Sequence, residues 1–111
     1  MIKLADIVIR RTEPTQLQLT WSFKNTIEDL NNYVLTIYRS EGPSTNLDEY
    51  EVAATGIPVL NYAFNDPYPN GRANSNTTWY YKFKIKNTET DQESVQPDDY
   101  AYMADEVPNF R

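Results

Sequence analysis

The chain has 111 residues, 16 acidic against 10 basic, a net charge of −6 and neither cysteine nor histidine. That length fits one two-layer domain, and the missing residue types exclude a disulfide framework, thiolate chemistry and the usual general base and transition-metal ligand. The acidic balance argues against broad nucleic-acid binding, which needs a basic surface.

At the start, Asp6, Arg10 and Arg11 interrupt any run resembling a signal peptide, and no stretch approaches a membrane span. Synthesis and retention in the cytoplasm until assembly or lysis is therefore expected. Residues 5–11 (ADIVIRR) predict a first strand, and residues 12–15 turn the chain at Pro14, which cannot join a ladder. Residues 16–24 (QLQLTWSFK) alternate, with Leu17, Leu19, Trp21 and Phe23 on one face. A polar loop over 25–31 leads to residues 32–39 (NYVLTIYR), apolar on both faces and so expected at the centre of a sheet. After a loop over 40–48, residues 49–54 (EYEVAA) form a short strand closed by Thr55 and Gly56. Residues 61–65 (NYAFN) form another, with Tyr62 and Phe64 inward. A long polar connection, 66–77, contains Pro67, Pro69 and Asn70-Gly71. Residues 78–87 (TWYYKFKIKN) are the strongest signal, with Trp79, Tyr81, Phe83 and Ile85 on one face and Tyr80, Lys82, Lys84 and Lys86 on the other. A tight turn over 88–92 returns the chain into residues 93–96. Seven short strands between turn signals predict an all-β sandwich over residues 1–96, with Greek-key links. Residues 97–111 lack a strand period and are expected to leave the sandwich as an acidic, aromatic tail, either docking on a partner or disordered.

The order of these motifs resembles the fibronectin type III domain. Trp21 falls in the family's second strand. Ile37-Tyr38-Arg39-Ser40 followed by Gly42-Pro43 resembles the third strand of bacterial and phage members. Residues 50–56 (YEVAATG), 62–66 (YAFND) and 77–87 resemble later segments. The resemblance implies an immunoglobulin-like sandwich of seven strands. It places the family's corner tyrosine at Trp79, where indole packing would replace a hydroxyl bond, and the segment before it is longer than usual. The YRSEGP stretch (38–43) and the Met start also resemble small virion proteins of tailed phages, where such domains sit on capsid, neck or tail.

Candidate sites follow from what the sandwich leaves outside. Trp21, Tyr33, Tyr62, Trp79, Tyr81 and Phe83 read as core, because their alternation buries them. Lys82, Lys84 and Lys86 read either as a solvated strand face or as a dock for an acidic partner, such as the tail of another copy. In the 66–77 loop, Tyr68 between two prolines is a stiff anchor, with Asn70 and Arg72 beside it. In the tail, Tyr100, Tyr102, Met103 and Phe110 suit a segment that orders on a partner. The tail acids have no calcium-loop spacing, and no glycine-rich cradle or base-activated hydroxyl occurs, so no metal, cofactor or catalytic residue is expected. The expectation is a non-enzymatic virion module that contacts other virion proteins or copies of itself, with no nucleic-acid or membrane partner. The alternative is an adhesion module that binds surface glycans through Tyr38, Tyr68 and Tyr80.

Overall fold

The computed structural model describes residues 2–13, 16–23, 29–42, 44–67, 79–97 and 101–103. Among them are eight strands: β1 (Leu4–Glu13), β2 (Gln16–Phe23), β3 (Tyr33–Ser40), β4 (Glu51–Pro58), β5 (Ala63–Asp66), β6 (Tyr80–Asn87), β7 (Glu93–Gln96) and β8 (Tyr102–Met103). All pairings are antiparallel. One sheet runs β1-β2-β5. The other runs β4-β3-β6-β7, with β8 also on β6. The two sheets face one another across a shared interior, giving an all-β sandwich. β3 lies between β4 and β6, the central place its two apolar faces predict.

The interior is built by the inward phase of each strand. Leu17, Leu19, Leu35, Ile37, Tyr81, Phe83 and Ile85 are fully buried, and Trp21 and Trp79 nearly so. The Trp21 indole meets Phe83 edge-on at 6.2 Å between ring centroids, joining the sheets at their centre. Trp21 also holds the corner after β4: its Nε1 donates to the Val59 carbonyl at 2.8 Å and its backbone N–H to the Tyr62 carbonyl at 3.1 Å.

Four expectations are corrected. Gly56 does not close the fourth strand. At φ +65° it sits in a bulge, since Leu35 pairs with Ile57 but Ile37 with Ala54, leaving one extra residue on β4. Tyr62 is not inward. The left-handed turn that ends the 59–61 helical turn has Tyr62 at φ 58°, which leaves its ring 42% exposed, edge-on to Phe23. Lys82 does not face water and is 1% exposed. The chain after residue 96 does not simply leave, because Tyr102 and Met103 return to pair with Tyr81 and Tyr80. A similar bulge re-phases β1. Asp6 (φ 50°) accepts a hydrogen bond from the Ser22 hydroxyl at 3.1 Å, and the extra residue there lets Leu4, Ile7 and Ile9 all reach the core.

Candidate interaction surface

The segment between β5 and β6 departs from two deeply buried points. Asp66 ends β5 fully buried, and Trp79, just before β6, is 1% exposed. A carboxylate without water must be paired. The Tyr81 hydroxyl donates to its Oδ2 at 2.6 Å, and the Arg39 guanidinium bonds Oδ1. Arg39 extends the chain of contacts outward, with Nε 3.0 Å from Glu51 Oε1. Burial works against the Arg39 charge, but the hydrogen bonds and charges of Asp66 and Glu51 outweigh it and raise the pKa above its ordinary value. The group ties β5 of one sheet to β3 and β6 of the other.

The sequence carried a signal for this group. Arg39 shares the phase of Leu35 and Ile37, Asp66 that of Phe64, and Tyr81 that of Phe83. Inward-phase charges of opposite sign must meet or be excluded. The loop composition from residue 66 onward hides this, because Asp66 is the last residue of β5 and not the first of the connection. Gln96, at the end of the returning strand, is a second polar residue turned inward. It pairs with Phe83 in register, is 8% exposed, and accepts from the Leu4 N–H at 2.7 Å while its Nε2 reaches the Ile2 carbonyl at 3.5 Å.

The predicted lysine stripe is divided. Lys82 is buried, its ammonium 3.4 Å from the carbonyl of Pro97. Lys84 lies 3.4 Å from Glu93, with its ammonium 6.0 Å from the Tyr38 ring centroid. A hydrogen bond to Tyr38 raises the Lys84 pKa; burial opposes this, and Glu93 adds to it. Lys86 lies 3.5 Å from Asp91. Acids of the β6–β7 hairpin thus already balance the two accessible lysines, and the face offers little net charge to an acidic partner.

Tyr102 packs edge-on against Phe83 at 6.1 Å, so this predicted contact residue covers the core, while Met103 beside it is 60% exposed. Tyr38, named for glycan stacking, is only 9% exposed, and Tyr80 is half-buried. Tyr68, Asn70, Arg72, Tyr100 and Phe110 lie outside the described residues. One open hollow among the described residues, of about 260 Å³, lies between Arg39, Ser40, Glu41, Glu49, Glu51 and Trp79. No group of three or more acids is placed to hold a metal ion among the described residues. No protein-family model matches the chain, and a search of curated proteins found no match either.

Proposed function

We propose that this chain is a fibronectin type III-like module of a tailed-phage virion, working without catalysis through contacts with other virion proteins or with copies of itself. Two antiparallel sheets around an aromatic core support the family reading. The observation that carries the contact reading is the rooting of residues 67–78. Asp66 at one end is clamped by Arg39 and Tyr81, and Trp79 at the other is sunk in the core. A loop whose ends are fixed loses less freedom on binding than one on a loose stem, and rigid sandwiches commonly present their contacts on such loops. Repetition of the module in a symmetric particle makes weak single contacts sufficient. Burial of Tyr38 removes one ring from the glycan platform and weighs against that alternative.

A photo-cross-linking residue at position 68, in chains assembled into native particles, tests the proposal. Cross-links to a neighbouring virion protein or to another copy are expected. A folded chain that is absent from purified particles, or that cross-links to nothing within them, overturns it.

A further inference from the structure

We propose that the corner between β4 and β5, where Leu60 and Tyr62 reach the surface, is a second contact site, and that it takes an apolar pocket with a neutral or basic rim on a different virion protein. This rests on the reading of the chain as a virion module and adds a seat away from residues 67–78. Tyr62 precedes β5 and Pro67 follows it, so the two seats lie at opposite ends of one strand. The backbone of the corner is held on both sides. Tyr62 N–H donates to the Val59 carbonyl at 3.2 Å, and the Tyr62 carbonyl accepts from Trp21 N–H at 3.1 Å. The indole of Trp21, itself in the core, bonds the Val59 carbonyl as well. A corner pinned in this way presents its side chains with little freedom left to lose on binding.

Tyrosine is an unusual residue for position 62. At φ 58° and ψ −2° the backbone is left-handed, which suits glycine or asparagine after a helical turn and is an outlier for a bulky side chain. The hydrogen bonds made by Tyr62 use main-chain groups that any residue but proline supplies. Its ring meets Phe23 edge-on at 6.0 Å and is 42% exposed, and Leu60 nearby is 40% exposed. The fold thus carries a strained backbone at Tyr62 and buries little of the ring in return. A strained residue that holds out an aromatic ring marks a contact. The turns Leu30–Asn32 and Val59–Asn61 lie side by side and contain no charge, while Asp29 caps the first. A partner facing them needs apolar surface for Leu60 and Tyr62 and no acidic rim. Another copy of a chain with net charge −6 fits that poorly. Leu60 offers nothing to sugar hydroxyls, so the pair suits a protein pocket better than a glycan.

The test separates what the ring does for the fold from what it does for the contact. Tyr62→Asn, which suits the left-handed backbone, should leave the urea midpoint equal to or above that of the parent. Offered together with the parent in equal amounts, the same variant should enter native particles at least about tenfold less often. A photo-cross-linking residue at position 60 should capture a different virion protein, and one at the exposed Thr55 should not. A midpoint below that of the parent would mean that the ring serves the fold, and overturns the proposal. Equal entry of the Tyr62→Asn chain overturns it too, as do cross-links from position 60 that reach only other copies, only glycan, or nothing. If cross-links from position 68 persist through any of these failures, the virion-module reading stands while this seat falls; their loss at both positions removes both.

Discussion

On one side of the sandwich β1 meets β7 through a neutral amide; on the other β5 meets β3 and β6 through a buried carboxylate. The Gln96 side chain acts as a substitute peptide group, accepting from Leu4 N–H and donating to Ile2 O. Asp66 is held by a tyrosine hydroxyl and a guanidinium. Both seams satisfy polar groups away from water, but their failure modes differ. An amide that loses a partner leaves one unsatisfied dipole. A carboxylate that loses its cation leaves a buried charge, which is far worse. The ionic seam is therefore close to all-or-nothing, and it stands at the root of residues 67–78. The neutral seam lines the cleft formed by Lys3, Leu4, Ser94, Gln96, Pro97 and Tyr102. The charged seam thus closes the end of β5 against β3 and β6, and the neutral seam closes the start of the chain against β7.

Removing Asp66 should break the comparison most forcefully. Asp66→Ala leaves the half-buried Arg39 and the buried Tyr81 hydroxyl short of their shared acceptor, and a loss of about 3–5 kcal/mol is expected in urea denaturation. Asp66→Asn keeps an acceptor for Tyr81 and should lose less. If the two variants melt alike, the charge contributes nothing and the seam is an ordinary hydrogen bond. Gln96→Ala should cost about 1–3 kcal/mol, because the Leu4 N–H is stranded in the seam. Its stability difference from the parent should stay unchanged between low and high salt, since no charge is involved. A salt-dependent difference would contradict the neutral description.

The two seams also mark where the sequence was readable. Alternation revealed most of the strands, the central place of β3 and the core faces of β2, β3 and β6, because a period of two is a direct consequence of pleating; it did not assign Ile2, Leu4, Ile9 or Val59 to the core. It failed where one residue breaks the phase. The bulges at Asp6 and Gly56 and the left-handed turn at Tyr62 each shift the pattern by a local backbone choice that alternation does not encode. The return of Tyr102 and Met103 was illegible for another reason: two residues carry no period. The lysine stripe misled because phase tells which face a side chain takes and not what lies over it. Lys82 takes the outer phase and is nonetheless buried.

The accessible pairs on the β6–β7 hairpin give a smaller contrast to the buried seam. A double-mutant cycle on Lys84 and Glu93, 3.4 Å apart and both partly in water, should yield a coupling of about 0.2–1 kcal/mol. It should fade in molar salt, where the screening length falls to about 3 Å. The Asp66 seam, shielded from ions, should keep its contribution under the same conditions. A Lys84–Glu93 coupling that survives such salt would place the pair with the buried contacts.

The smallest effect is a matter of pH, and its sign follows from Lys84. Its pKa in the folded chain is raised above the ordinary 10.5, chiefly by the hydrogen bond to Tyr38, against a smaller opposing effect of burial and with help from Glu93. A raised value means that the folded state holds the proton more tightly than the unfolded one. The stabilisation is then complete below the unfolded pKa of 10.5 and is lost as pH rises through the higher folded value. Tyrosines begin to ionise in the same range, near about pH 10, so the readout is a difference between chains rather than one curve. The parent should exceed Lys84→Met in stability near neutrality, and the gap should close above about pH 10.5. Lys84→Arg, which keeps its charge throughout, should show no such closing. A gap between parent and Lys84→Met that is constant across this range would mean that the side chain acts through its methylenes packed on Tyr38, and the charge would have no part in holding the hairpin to the sheet.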